Sequence, residues 1–336
     1  MSRPSYPFPR GLVTGAAGFI GSHMCEHLLA RGAQVAALDD LSTGNPDNLA
    51  DCRDRIDFTR GSIADEPLVD ALVSRSAAVV HLAASVGNRV VSRRPLASIQ
   101  NNIRGTSVVL AACAKYHRPV LIASSSEVYG RCPVLPFVET ADVVIGRSTS
   151  PRWLYGASKL ANEFEAFAYA RDAGLQAVAA RFFNIAGPRQ AGRYGMILPR
   201  FVRQALLGDD ITIYGDGRQI RCFCHVSALC DAVLDLLACP AAYGQVVNLG
   251  SSAPVSLREL ADRVKARTGS ASRITFTPFE AVYGSDYEDM ARRRPDTAKA
   301  RALVGFDPRL SLDEIIDDVA AWMRSHWDRV RAERDY

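Results

Sequence analysis

The sequence predicts an α/β fold: a doubly wound parallel sheet with helices on both faces, joined to a smaller C-terminal substrate-binding lobe. Three observations lead there. Short apolar runs alternate with helical ones from the start of the chain, which is the texture of successive βαβ units. Three glycines sit where the first strand meets the first helix. After about Gly187, prolines at Pro188, Pro199, Pro254, Pro278 and Pro295 punctuate shorter elements, as expected where a second body begins.

Taken in order, "GLVTG" is a strand, "GSHMCEHLLARG" a helix, and "QVAALDD", "AAVVHLAAS" and "PVLIASSS" the next strands. A long helix through "LYGASKLANEFEAFAYARDAG" and a strand in "QAVAARFFNIAG" extend the pattern. The segment "GQVVNLG" reads as a strand that returns to the sheet. The expected boundaries are therefore 1–186 for the sheet domain, with 226–250 returning to it, and 187–225 plus 251–336 for the smaller lobe.

Composition bounds the function. With 336 residues, 48% of them hydrophobic and 23% charged, the chain is long enough for a large core or two lobes sharing a cleft. A net charge of +4 from 40 basic and 36 acidic residues is too slight and dispersed to argue for nucleic acid or membrane as partner. The opening "MSRPSYPFPR" has no apolar core and does not read as a signal peptide. No run reaches the length of a membrane span. The eight cysteines stand in apolar segments without a Cys-x-x-Cys pair, so reduced, mostly buried thiols in a cytoplasmic protein are expected. Cys222, Cys224 and His225 raise a metal site, but the alternation of "IRCFCHV" is that of a strand, and no metal is expected.

In "VTGAAGFIGSH", Gly15, Gly18 and Gly21 stand at the strand exit and helix start. A tight turn, a close approach of backbone N–H groups to a pyrophosphate, and close helix packing each require a missing side chain there. Asp39 follows at the end of the second strand. Its carboxylate suits the two ribose hydroxyls and repels a 2′-phosphate, so NAD is expected rather than NADP.

Tyr155 and Lys159 of "YGASK" are four residues apart and share a helix face. A phenol ionises near pH 10, so using it as a base near neutrality takes about 4 kcal/mol of electrostatic help. A neighbouring ammonium and a positive nicotinamide ring are suited to give it. With the glycine motif and a hydroxyl at the end of the fourth strand, the pair becomes specific. On these residues the sequence resembles the extended short-chain dehydrogenase/reductase family, from about Gly11 to about Trp322. The resemblance implies a Rossmann-type NAD domain and a lobe for a nucleotide diphosphate sugar. It implies that Ser125 hydrogen-bonds the sugar hydroxyl being oxidised, while Tyr155 removes its proton. It extends cofactor contacts to Phe19, Ile20, Thr43, Gly44, Leu82, Ala83, Ala84 and Asn102. Ser62 and Ile63 are expected near the adenine, although many relatives have Gly-Asp where this chain has Gly61 and Ser62.

"SSSEVYG", "PRWLYGASK", "FNIAGPR", "RCF" and "YEDMARRRPD" are similar to the UDP-glucuronate decarboxylase branch of that family. The resemblance carries Ser126, Glu127 and Arg221 over as active-site residues. A sugar C5 carboxylate leaves poorly until a ketone stands at C4; carbon dioxide can then depart as an enolate forms. Glu127 and Ser126 could position the carboxylate or a water, while Arg221 stabilises developing negative charge. Alternatively, Glu127 binds backbone at a strand end, or Arg221 binds the diphosphate. For the substrate, Asn184, Arg189, Met196, Ile197, Arg203, Tyr214 and Arg293 are expected contacts, with "GRYGMILP" and "ITIYG" flanking the uracil and Arg293 a second diphosphate arginine.

Decarboxylation of UDP-glucuronate to UDP-xylose, with the 4-keto pentose as a released product in some turnovers, is the first reading. "HLAASVGNRVV" looks more like epimerase relatives, so a C4 epimerase of UDP-glucuronate or a UDP-hexose stays open. A 4,6-dehydratase would use an Asp-Glu pair where this chain has Ser126 and Glu127. A non-catalytic NAD-binding protein is the reading from another class. The resemblance also implies a homodimer built through two long helices, one starting near Tyr155.

Overall fold

The computed structural model of the chain describes residues 6–87, 91, 93–192, 195–284 and 288–332. The main sheet takes β1 (Arg10–Thr14), β2 (Gln34–Asp39), β3 (Ile56–Arg60), β4 (Ala78–His81), β5 (Val120–Ser125) and β6 (Ala177–Phe182). Four short strands follow, β7 (Ile185–Ala186), β8 (Ile211–Tyr214), β9 (Ile220–Arg221) and β10 (Cys224–His225), before β11 (Gln245–Leu249) rejoins the main sheet. Its order is β11-β6-β5-β4-β1-β2-β3, and every pair is parallel.

Sequence and sheet agree on why the central strands lie where they do. Leu12, Val13, Val79, Val80, Leu121, Ile122, Val178 and Ala179 are buried, so both faces of these strands are covered, as a parallel sheet requires. β3 is the exception. Its sequence "IDFTR" is half exposed along its length and has β2 as its neighbour in the sheet. An edge strand needs no continuous apolar run, and for that reason the expectation from the sequence passes over it. The serine-bearing strand is consequently the fifth in the chain, not the fourth.

Helices cover the sheet on both sides. On one face α1 (Phe19–Ala30) packs with a later helix, Val226–Leu237, through a core that includes Met24, Leu28, Leu229 and Val233. On the other, α2 (Glu66–Ser74) packs against a helix that starts as α3 (Pro95–Ile99), passes through a π-type turn at Gln100–Arg104, and continues as α4 (Gly105–Lys115). That layer is completed by α5 (Leu154–Ala173), and Val69, Val109, Leu110 and Ala166 fill it.

The smaller lobe is built from α6 (Ile197–Leu207), then, beyond α7 (Val226–Leu237), from β12 (Val255–Ser256), α8 (Leu257–Thr268) and β13 (Ile274–Thr277). Next come α9 (Phe279–Tyr283), then α10 (Ala298–Val304), which packs on β11 and α7 in the core of the main sheet, and, back in the smaller lobe, α11 (Leu312–Ser325) and α12 (Trp327–Ala332). On α6, Leu198, Phe201, Val202 and Ala205 recur at helical spacing and bury one stripe. They meet Leu260 and Val264 of α8 and Ile315 and Val319 of α11 in a separate core. α11 begins with a capping box, Ser311 and Glu314 each accepting from the other's backbone N–H.

"IRCFCHV" does not form the continuous strand expected. β9 pairs with β12 and β10 with β7, because Phe223 between them turns to line the cleft. His225 caps α7 and engages Ser227 and Asp318 through its two ring nitrogens, at 2.7 and 2.9 Å. Among the described residues no group of three or more potential metal ligands gathers, and no helix is long and apolar enough to cross a membrane.

Candidate active site

Strand order reverses between β1 and β4, and ligands of such sheets bind at that point, beyond the carboxyl ends of the strands. A cleft of about 670 Å³ opens there, walled on one side by the sheet and on the other by the smaller lobe.

The dinucleotide half is set by backbone geometry. Gly15 leaves β1 at φ +71° and donates its N–H to the Leu38 carbonyl at 2.8 Å. A Cβ there would lie 2.8 Å from the Ala83 nitrogen. At Gly21 a Cβ would overlap the Gly15 carbonyl oxygen and sit 2.8 Å from Ala16 Cα, so α1 can close on the turn only without a side chain. The Asp39 carboxylate accepts from the Ala17 and Leu41 N–H groups, at 2.9 and 2.8 Å. Burial pushes its pKa up, against the lowering effect of those two hydrogen bonds. Gly18, Phe19, Ile20, Thr43, Gly44, Ile63, Leu82, Ala83 and Ala84 line the same half. A turn that admits no side chain and a carboxylate at the adjoining strand end fit the pyrophosphate and ribose of a dinucleotide.

Two expected cofactor contacts, Ser62 and Asn102, are not among the residues that line the cleft. Ser62 accepts from the Ala64 N–H at 3.1 Å in the turn after β3. Asn102 accepts from the Ser85 N–H at 2.6 Å and donates to the Ser85 carbonyl at 3.1 Å, which fixes the loop after β4; its neighbour Asn101 reaches the cleft. Gly21→Ala is expected to weaken NAD binding roughly ten- to hundredfold, since overpacking costs about 1–3 kcal/mol. Titration calorimetry checks this, and an unchanged affinity would show that α1 retreats without disturbing the turn.

Ser125, Ser126, Glu127, Tyr155 and Lys159 converge on the cleft from the end of β5 and the first turns of α5. The Ser125 hydroxyl accepts from the Glu127 N–H at 3.2 Å and also bonds the Tyr155 hydroxyl. Burial raises the Tyr155 pKa, the charge of Glu127 raises it further, and the bond to Ser125 opposes both. The phenol is therefore protonated in the cofactor-free protein. Lys159, with Nζ 6.0 Å from the Tyr155 ring centre, is lowered to about 8 by burial, against the charge of Glu163.

Two buried polar networks hold these groups in place. His81 bonds Thr14 at 2.7 Å and Thr106 at 3.0 Å, and burial lowers its pKa to about 3, so a neutral imidazole ties β1 and β4 to α4. Behind Lys159, Glu163 receives Arg181 Nε and Nη2 at 2.9 and 2.7 Å and also the Ser124 hydroxyl. This lock joins α5 to β6 and β5 one residue from Ser125.

The Glu127 carboxylate is engaged by side chains rather than by backbone at the strand end. Its two carboxylate oxygens are taken by Arg152 and, at 2.6 Å, by Arg293. Burial would raise its pKa, but Arg293 and Arg152 outweigh that and hold it down to about 2. Glu127 is ionised at neutrality and is not a proton donor. Arg221 is tied to Asp289 at 2.7 Å and to the Met290 and Ile220 carbonyls at 2.9 Å. The arginines that meet Glu127 are thus Arg152 and Arg293, the second of which the sequence expectation places on the diphosphate, while Arg221 stands one ion pair further along. Three guanidiniums (Arg152, Arg221, Arg293) against two carboxylates (Glu127, Asp289) leave one net positive charge in this wall.

Asn184, Arg189, Met196, Ile197 and Tyr214 also line the cleft. Asn184 and Arg189 both have positive φ, +40° and +69°, a conformation that costs a side-chain-bearing residue about 1–3 kcal/mol and marks a loop held by its surroundings. Arg189 pairs with Glu26 at 2.6 Å on α1, so it faces the dinucleotide half. Arg203 is not on the cleft wall; its Nε donates to the Val330 carbonyl of α12 at 3.1 Å. The positions 193–194 of "GRYGMILP", 287 of "YEDMARRRPD" and 88–90 of "HLAASVGNRVV" lie outside the described residues.

Sequence reading missed Arg152, Asp289, Arg200 and Arg329. Arg152 follows a proline that opens the turn before α5 and stands in a quoted motif without any partner to suggest its role. Arg200 lies with its guanidinium 3.9 Å from the Tyr214 ring centre; it stands on the face of α6 opposite the apolar stripe, where the sequence alone reads it as a solvated cation.

The chain matches the NAD dependent epimerase/dehydratase family over residues 11–250. A UDP-N-acetyl-alpha-D-glucosaminuronate decarboxylase from Bacillus cytotoxicus is 36% identical, over 94% of this chain and 98% of the relative. A UDP-glucuronic acid decarboxylase 1 from Xenopus tropicalis is 30% identical, over 94% and 72%. The crystal structure of a UDP-glucuronic acid 4-epimerase from Bacillus cereus, in complex with UDP-glucuronic acid and NAD, superposes with a TM-score of 0.85 at 26% identity, over 94% of this chain and 99% of that one.

Proposed function

The chain belongs to the NAD dependent epimerase/dehydratase family, and from that premise we propose that it decarboxylates a UDP-linked hexuronic acid, UDP-glucuronate giving UDP-xylose. The observation that carries this reading is the wall in which ionised Glu127 is clamped between Arg152 and Arg293. Its single surplus positive charge suits one substrate carboxylate. After carbon dioxide leaves, the same charge sits beside the enolate, so one cluster serves both states.

NAD, when bound, supplies the hydride acceptor and a positive ring. Ser125 holds the C4 hydroxyl and Tyr155 takes its proton as the hydride departs. With a ketone at C4, the C5–C6 bond breaks, its electron pair passes into the C4–C5 enolate, and the carboxyl group leaves as carbon dioxide. C5 then gains a proton and C4 recovers the hydride. The sum is one uronate and one proton giving one pentose and one carbon dioxide. Glu127 holds Arg293 and Arg152 rigid; Ser126, buried beside it, lines the reacting end.

The Bacillus cytotoxicus relative favours a second substrate, the 2-acetamido analogue. Mass spectrometry of products from both acids, incubated with NAD, decides. Loss of carbon dioxide from either supports the reading, and the faster acid names the substrate. An unchanged mass with a new chromatographic peak would sink it in favour of C4 epimerisation, the reaction named for the Bacillus cereus structure. Glu127→Gln is expected to keep C4 oxidation while slowing carbon dioxide release roughly 10²-fold, the size of one lost electrostatic contact in a buried site, so that bound NADH accumulates. The same reading takes 187–225 and 251–336 as the sugar-nucleotide lobe. It includes a homodimer through α4 and α5, where Phe164 is exposed.

A further inference from the structure

The C-terminal helix α12 has no part in the chemistry above, yet it reaches the cofactor half of the cleft. One side of it is anchored in the smaller lobe. Val330 is buried in that lobe's core beside Trp327, and Arg203 of α6 donates from Nε to the Val330 carbonyl at 3.1 Å. The other side points at the dinucleotide turn. Arg329 Nη2 donates to Asn48 Oδ1 at 2.8 Å, and Asn48 Nδ2 donates to the Ala17 carbonyl at 2.9 Å. Ala17 is the residue whose N–H binds Asp39. Arg329, Ala332 and Asn48 line the cleft together with Gly18, Asp39 and Asn45. Arg329 thus stands two hydrogen bonds from the glycine turn and lines the same half of the cleft.

A pyrophosphate held only by a turn and a helix N-terminus keeps oxygens free on its outer side, and a planar guanidinium matches two of them. A cofactor that returns its hydride in every turnover also gains from being retained. We propose that α12 is a latch over the cofactor half of the cleft, in which Arg329 binds the pyrophosphate of NAD beside the glycine turn. Arg203 is the positioning residue that holds the latch through the Val330 carbonyl. The inference rests on NAD binding and not on which sugar acid is turned over.

Titration calorimetry on the full-length protein, stripped of cofactor, tests it with NAD, ADP, adenosine and UDP as probes. Arg329→Ala is expected to weaken NAD and ADP about ten- to hundredfold, the range for a hydrogen-bonded charge pair, with adenosine and UDP within about twofold of the parent protein. Arg329→Lys, which keeps the charge and loses the fork, is expected to fall between. Arg203→Ala should reproduce the pattern more weakly. Unchanged NAD and ADP affinity would overturn the proposal. An equal loss for adenosine would also overturn it, because Arg329 would then act only through Asn48 on the turn. A loss for UDP in place of ADP would move the arginine to the sugar nucleotide.

Discussion

Tyr155→Phe is expected to lower kcat roughly 10²- to 10⁴-fold, the contribution of a positioned proton-transfer group, and to abolish the burst of bound NADH on mixing with substrate. The phenol is buried and raised by that burial and by the Glu127 charge, so nothing in the cofactor-free protein makes it a base. Its proton is lost when the oxidised nicotinamide adds positive charge beside the Lys159 ammonium already in place. A second consequence concerns pH. Lys159 is lowered to about 8, so the ammonium is present below that pH and is lost above it. kcat/KM, which reports the free enzyme, should therefore fall as pH rises through about 8. Residual turnover of Tyr155→Phe within tenfold of the parent protein would place the base elsewhere.

Glu163→Ala should cost about 3–5 kcal/mol of stability, because it leaves the Arg181 guanidinium charged and unpaired in the interior. Arg181 and Glu163 are both nearly inaccessible, and Arg181 also stacks 4.6 Å from the Tyr129 ring centre. Chemical denaturation measures the loss. The double substitution Glu163→Leu with Arg181→Met removes both charges and should recover most of it. A single-variant loss below about 1 kcal/mol would mean that water reaches the guanidinium once the carboxylate is gone. Because Glu163 lies one turn beyond Lys159 on α5, the single variant should also lose turnover in excess of its unfolded fraction.

The parts of the site that the sequence discloses are those whose partners are near in the chain. Gly15, Gly18 and Gly21 report a turn and a helix start by spacing alone, and Tyr155 and Lys159 share a face one helical turn apart. The parallel sheet was legible because its central strands are buried on both sides and read as apolar runs. β3 was not, since an edge strand can be half polar. Glu127 was visible as an oddity, but its environment was not, because Arg293 is brought to it from the far lobe and nothing local distinguishes it from Arg221 or Arg292. Arg203 shows the same limit from the other side: a basic residue on a lobe helix suggests a phosphate, and only tertiary packing reveals that it serves a backbone carbonyl. Ser62 and Asn102 stand next to cleft residues, and a single position decides whether a side chain faces the ligand or the wall.

The return of β11 to the edge of β6 bears on how the protein is made. A ribosome delivers β6 long before residues 245–249, so the unpaired side of β6 faces solvent while the intervening lobe is being synthesised. An open strand edge reading Ala-Val-Ala-Ala is an invitation to pair with another chain. Cutting the polypeptide at the boundary near 186 would make that exposure permanent, and the first half released alone is an aggregation hazard rather than a soluble cofactor-binding module.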